Sequence, residues 1–176
     1  MKTIENNNFK KFFAILSRVS RKLRKISKRE GVDCSNEKFN LIVGEVSLLT
    51  VGAFEICQVD IPDDKTWKVV KDTKEIWDGL DVDDIEPYIS HKLDSVIKDD
   101  TKRMIVLTTA LMHTIKSDKL GITSKKSKKN IDQISRLLEV FMAGVGKVQN
   151  DLEKMTDTYE YAILAWDAIP TNFIVT

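Results

Sequence analysis

A row of positively charged side chains near the amino terminus is the part of this sequence most suited to binding chemistry. Residues 1–30 contain ten Lys and Arg but only two acids, so this segment has a net charge of +8. Six of the cations recur on the polar side of a helical pattern: Lys11, Arg18, Arg21, Lys22, Lys25 and Arg29. Cations along one helix face can follow the phosphates of a nucleic acid. They can also dock on an acidic protein or lie on an anionic membrane.

A second group of cations lies in the segment 122–130, which the sequence predicts to be a basic loop. Its lysines are Lys125, Lys126, Lys128 and Lys129. We expect this loop to extend the basic surface of the first helix. No Asn or Gln is interleaved with the cations of that helix, and its Phe residues lie on the apolar side. Any nucleic acid is therefore expected to be held by its backbone rather than read by its bases.

The acidic residues are concentrated in the segment 60–100. It contains thirteen Asp and Glu against six Lys, which gives a net charge of −7. Blocks of opposite charge can pair within one fold, pair between copies, or face separate partners. The densest acidic cluster, at 78–86, lacks the spacing and the central glycine of an EF-hand loop. We therefore predict no metal site there.

The inventory of catalytic side chains is small. His91 and His113 have no second His or Cys at metal-ligand spacing, and Cys34 and Cys57 do not form a CxxC pair. The glycines at 144–147 lack the pattern of a phosphate-binding loop. We therefore predict no catalytic residues, no metal, no cofactor and no enzymatic activity.

Helices are expected to position the charges. Apolar residues recur at spacings of three and four opposite the first row of cations: Phe9, Phe12, Leu16, Val19, Leu23 and Ile26. This spacing predicts a helix over about 9–29, with Asn8 as its N-cap and Gly31 beyond its end. The segment at about 36–58 repeats the spacing and is apolar on its other faces too, which predicts a buried central helix. A pair of strands is the alternative there, because the segment contains β-branched residues and two glycines.

The middle of the chain also favours helices. The acids at 63–64 are suited to cap a helix that carries Trp67 and Trp77. These tryptophans are expected in the core, or, if their face is exposed, in a binding hot spot. Further helices are predicted over the apolar residues of 88–97 and over 99–121.

The last third of the chain has the most regular pattern. Between 131 and 169, twelve apolar or aromatic positions follow a seven-residue repeat. Such a repeat drifts by ~20° per heptad on a straight helix, so we expect a break between helices at about 131–155 and 158–168. Gly144 and Gly146 each cost a helix interior roughly 1 kcal/mol relative to Ala. Close approach of a neighbouring helix is the expected compensation.

Together these patterns predict an all-α fold, a single domain over 1–176 built as a bundle of about six to seven helices. The most apolar window, at 41–61, contains three acids, so we do not expect it to cross a membrane. The sequence shows no secretory signal pattern, and its two cysteines are expected to be free thiols. Because free thiols persist in a reducing compartment, we expect a cytoplasmic location.

The predicted function is a non-enzymatic protein–protein interaction module, such as an adaptor, an inhibitor or a small subunit of a larger assembly. It would dock through charged and apolar helix faces, on another protein or on a second copy of itself. The alternative is a sequence-nonspecific nucleic-acid-binding subunit of a nucleoprotein complex, which would use the first helix and the lysine loop. A membrane surface is the least favoured partner.

Overall fold

The structure is a computed structural model that describes residues 3–81, 99–116, 120–149 and 159–176. These residues form six α-helices and one 3-10 turn, and their only extended pairing is a single bridge between Ile4 and Val175. The helices are α1 (Asn7–Glu30), α2 (Glu37–Ile56), α3 (Lys68–Asp78), α4 (Asp99–Ile115), α5 (Lys125–Gln149) and α6 (Glu160–Asp167). The predicted all-α bundle is confirmed, and the strand alternative for the segment of α2 is wrong.

Local capping chemistry sets the ends of α1 and α2. The Asn6 side chain accepts a hydrogen bond from the Phe9 amide at 2.9 Å, so the N-cap lies two residues before the predicted Asn8. Gly31 ends α1 in a left-handed conformation with φ of 64°, as its position predicts. Asn36 caps α2 in the same way as Asn6 caps α1, by accepting the amides of its first turn.

The four longest helices surround the core, and each of them packs on two of the others. α1 packs on α5 and α2, and α4 packs on the same two helices from the other side. Residues near the end of α1 contact the start of α5, whereas Phe12 near the start of α1 meets Phe141, with ring centroids 4.8 Å apart. The two helices are therefore antiparallel. α3 lies against α2, and α6 lies against α5.

Aromatic side chains from distant parts of the chain fill this core. Phe9 packs on Phe54 with ring centroids 4.3 Å apart, and Phe54 packs on Trp67 at 5.2 Å. All six apolar residues of the predicted stripe on α1 are buried. Trp67 and Trp77 are buried too, so they belong to the core. Trp67 lies in the 3-10 turn Lys65–Trp67, directly before α3, rather than in the same helix as Trp77.

α2 occupies the predicted central position, between α1, α3 and α4. A Cβ atom at Gly52 would lie 2.2 Å from the Met104 sulfur and 2.6 Å from the Trp77 ring, so only glycine fits there. The helix is nevertheless not buried all round, because Leu41 and Val43 near its start are exposed. By length and composition α2 could cross a membrane, but half of its most apolar window is buried within the structure. Core helices of soluble proteins share these properties, which favours a water-soluble protein.

The predicted basic loop at 122–130 is wrong, because α5 begins at Lys125. Ser124 stands before its first turn, where its carbonyl accepts the Lys128 amide at 3.0 Å. The Ser124 amide in turn donates to the Glu30 carboxylate at 3.2 Å. This bond connects the start of α5 to the end of α1.

The heptad region is confirmed in part. Gly144 is buried, and a Cβ atom there would lie 2.3 Å from the Trp166 ring of α6, so a neighbouring helix does approach closely. Tyr159, although it fits the repeat, is exposed. α6 begins at Glu160 rather than 158, and α4 ends at Ile115 rather than near 121. The predicted break and the predicted helix over 88–97 lie outside the described residues.

Candidate functional site

Three of the six predicted cations of α1 take part in packing between helices. The Lys22 ammonium donates to the Gln133 side chain at 3.0 Å. The Arg29 guanidinium donates to the side-chain oxygens of Ser127 and Asn130, both at 3.0 Å. These bonds join α1 to α5. The Lys11 ammonium lies 5.5 Å from the centre of the Trp166 ring, which is a cation–π distance.

The other three predicted cations of α1, Arg18, Arg21 and Lys25, are exposed. Arg24 and Lys28 are exposed on the same helix, although the sequence prediction left them out. Arg24 lies three positions after Arg21, and Lys28 lies three positions after Lys25, which was the signal that could have included them. None of these five cations forms an ion pair or a side-chain hydrogen bond with any other residue that the structure describes.

The lysines at the start of α5 adjoin the end of α1. All four predicted lysines of this segment are exposed, while Ser127 between them is buried and accepts the bond from Arg29. The two predicted groups of cations are thus brought together at one end of the α1–α5 pair. We call the combined set of nine exposed cations the basic surface: Arg18, Arg21, Arg24, Lys25, Lys28, Lys125, Lys126, Lys128 and Lys129.

The cations of α1 raise the local positive potential. The pKa of Lys22 is lowered from its ordinary value, first by burial and then by repulsion from Lys25, Arg21 and Arg18. The repulsive part of this shift reflects the closeness of the three exposed cations, and none of them is paired with a described acid. This surface is therefore suited to a polyanion.

The acidic segment balances its charges differently. Within it, Lys68 pairs with Asp72 at 2.9 Å and Lys71 pairs with Asp63 at 2.7 Å. Lys74 pairs with Asp78 at 3.0 Å and also with Glu55 of α2 at 3.3 Å. No described acid of the 60–100 segment pairs with the basic surface. The acids at 82–98 lie outside the described residues.

The side chains considered for catalysis are scattered. His113 is exposed on α4, and His91 lies outside the described residues. Cys34 is exposed, whereas burial raises the pKa of the Cys57 thiol to about 12, so this thiol stays protonated at neutral pH. Within the described ranges, no group of three or more His, Cys, Asp or Glu side chains is placed to hold a metal ion.

The basic surface is thus the most distinctive chemical feature of the described residues. It lies on two helices that the core holds in place, and its cations point to water. Comparisons of this chain with models of protein families, with curated proteins and with solved structures found no match.

Proposed function

We propose that the protein is a non-enzymatic module that binds nucleic acid without sequence specificity and holds the phosphate backbone on the basic surface. The observation that supports this proposal most directly is the set of nine exposed cations on two adjoining helices, to which no described acid is paired. Electrostatic contact with phosphates supplies most of the affinity of nonspecific binding.

The shape of the basic surface favours a phosphate backbone over exposed bases. Arg18, Lys25 and Lys28 fall on one side of α1, and their stretch of helix spans about 15 Å at 1.5 Å per residue. Double-stranded DNA carries one charge about every 1.7 Å along its axis, so this stretch faces several phosphates. Phe9 and Phe12 are buried, and no aromatic side chain of α1 is exposed for stacking on bases. The expected ligand is therefore a duplex.

An acidic protein is a poorer fit to the same surface. Protein interfaces are usually anchored by aromatic and other large side chains that become fully desolvated. The exposed side chains of α1 are all polar or charged, so the helix offers no apolar anchor beside its cations. A cytoplasmic location accords with the two cysteines, Cys34 and Cys57, which form no disulfide.

A titration with short duplex DNA and duplex RNA, followed by fluorescence anisotropy at low and moderate salt, tests the proposal. We expect the wild type to bind both duplexes. Replacing Arg18, Lys25 and Lys28 together by Gln should weaken binding by on the order of 100-fold at low salt, because three phosphate contacts are lost.

The matched control removes three exposed lysines from the acidic segment, by Lys65→Gln, Lys68→Gln and Lys71→Gln. It changes the net charge by the same amount and should leave the affinity within about twofold, because these lysines lie outside the basic surface. Equal losses in the two variants, or no binding by the wild type, would contradict the proposal. Circular dichroism of both variants checks that the helices are retained.

A second candidate function, docking on a partner protein, is favoured by the outer face of α6. Tyr159 and Tyr161 are exposed and stacked with ring centroids 5.7 Å apart, and Leu164 is 63% exposed. Exposed tyrosines next to an apolar side chain are typical of interface hot spots. Light scattering of the purified protein tests self-association through this face. A concentration-independent monomer mass, unchanged in Tyr161→Ser/Leu164→Ser, would rule out a second copy as the partner.

A further inference from the structure

A groove between α1 and α2 adjoins the basic surface. Its volume is about 280 Å³. Ser17, Ser20, Arg21 and Arg24 line it from α1, and Thr50 of α2 forms the opposite wall. The four residues of α1 recur at spacings of three and four, so they share one side of the helix.

The unpaired polar groups of this groove are hydrogen-bond donors. The hydroxyls of Ser17 and Ser20 make no hydrogen bond with any other described residue, and Arg21 and Arg24 have no acid paired with them there. The Thr50 hydroxyl already donates to the Val46 carbonyl at 3.0 Å. No acidic residue lines the groove. Two hydroxyls and two guanidinium groups therefore remain to bind an acceptor.

The base of the groove strengthens this preference. Phe13 and Leu16 contribute its apolar lining, and Leu16 is buried in the core. This apolar lining offers no acceptor that would compete for the hydrogen-bond donors of the groove. Guanidinium groups match tetrahedral oxyanions particularly well, because they can donate two parallel hydrogen bonds to a pair of oxygens.

We infer that this groove binds a phosphate monoester, namely the terminal 5′-phosphate of a polynucleotide strand. The inference rests on the proposed function, since it places the strand end beside the basic surface. A monoester carries a charge of about −1.5 to −2 at neutral pH and three acceptor oxygens, which match the two hydroxyls and two guanidinium groups. An internal phosphodiester carries one charge, and its chain continues on both sides, which suits the open face of α1 better than a groove.

Anisotropy titrations that compare one duplex carrying 5′-phosphates with the same duplex carrying 5′-hydroxyls test the inference. The wild type should bind the phosphorylated duplex about tenfold more tightly. The double substitution Arg21→Gln/Arg24→Gln should abolish this preference. Ser17→Ala/Ser20→Ala should reduce the preference by about threefold, since two neutral donors are lost but both guanidinium groups remain.

Two controls separate the groove from the general charge of α1. Arg18→Gln/Lys25→Gln removes the same charge outside the groove, so it should weaken both duplexes alike and keep the preference for the phosphate. Thr50→Val should also keep it, because the Thr50 hydroxyl is not available as a donor. A nucleoside 5′-monophosphate should compete with the phosphorylated duplex, and the unphosphorylated nucleoside should not.

The possible failures are distinguishable. If the wild type binds both duplexes equally, the groove does not recognise a terminal phosphate, and the proposed backbone binding still stands. If Arg18→Gln/Lys25→Gln abolishes the preference as completely as Arg21→Gln/Arg24→Gln does, the preference reflects general charge and the groove has no special role. If neither duplex binds, both the inference and the proposed function are wrong.

Discussion

The two helices α1 and α2 lie side by side in the core but differ in whether their charged side chains are exposed or buried. α1 keeps its apolar stripe inward and leaves six cations exposed on its outer side, while its one buried cation, Lys10, lies 3.6 Å from the Glu5 carboxylate. α2 is apolar on most faces, yet it buries the carboxylate of Glu45. Oε2 of Glu45 has no hydrogen-bond partner among the described residues, and Oε1 lies 3.4 Å from the Thr114 hydroxyl.

This difference separates two kinds of charged residue. The exposed cations of α1 remain hydrated, so they cost the fold little and are available to a partner. Glu45 has lost most of its water, so its charge is a cost to folding that the nearby groups only partly offset. Substitutions in α2 should therefore change stability, whereas substitutions on the outer side of α1 should change binding.

The largest stability effect is expected at Glu45. Burial raises the pKa of this carboxyl from 4.5 to about 7, against smaller opposing effects from Thr114 and Lys38. Because the folded pKa lies above the unfolded one, the contribution of Glu45 to stability is most favourable below pH 4.5 and is lost as pH rises through 7. Glu45→Gln removes this penalty, so it should stabilise the protein by about 3 kcal/mol at pH 8.

Urea unfolding of the wild type and of Glu45→Gln at several pH values measures this difference. The gain in the free energy of unfolding should shrink as pH falls from 7 to 4.5 and vanish below that range. Glu37→Gln, which alters an exposed acid in the first turn of the same helix, is the control and should not stabilise the protein by a comparable amount at pH 8. A gain in the free energy of unfolding that is constant with pH would contradict the assignment of Glu45 as a buried carboxylate with a raised pKa.

A smaller stability effect is expected at the glycines of α2. Gly52→Ala would place a methyl group within 2.6 Å of the Trp77 ring, so it should destabilise the protein by about 1–3 kcal/mol through overpacking. Gly44→Ala is the matched control, because no atom lies within 4 Å of the added Cβ. It should stabilise by up to about 1 kcal/mol, since alanine favours the helix.

Thermal unfolding of the two variants measures both the expected loss of stability in Gly52→Ala and the expected gain in Gly44→Ala. A loss of stability in Gly44→Ala would show that the start of α2 is not open as described. Unchanged stability in Gly52→Ala would show that Trp77 and Met104 can move apart at little cost. Either result would weaken the contrast between the exposed start and the buried end of α2.

The sequence predicted the parts of the fold that local patterns control. The division of α1 into an apolar and a basic side follows from a spacing of three and four, and Gly31 marks its end without tertiary information. The need for a close neighbour at Gly144 was also predictable, because a glycine in a helix interior is otherwise unfavourable. The identity of that neighbour, Trp166, was not, because it depends on how α5 and α6 pack.

The features that the sequence did not predict depend on contacts between distant residues. The start of α5 lies against the end of α1, where the Ser124 amide donates to Glu30, and the run of lysines predicted as a loop is helical there. The hydrogen bonds of Lys22 and Arg29 to α5 were equally hidden, because both residues fit the polar side of α1. The groove beside Arg21 exists only because Thr50 of α2 lies opposite. The spacing of residues within one helix cannot predict which residues of another helix will lie opposite.

The most direct test of the account is the salt dependence of duplex binding by the wild type and by the variant with Arg18, Lys25 and Lys28 replaced by Gln. The logarithm of the binding constant should fall linearly with the logarithm of the salt concentration for both proteins. The slope of the variant should be shallower by about 3, because each cation that contacts a phosphate contributes about 1. Equal slopes for the two proteins would show that these cations do not contact phosphates, and would contradict the proposed role of the basic surface.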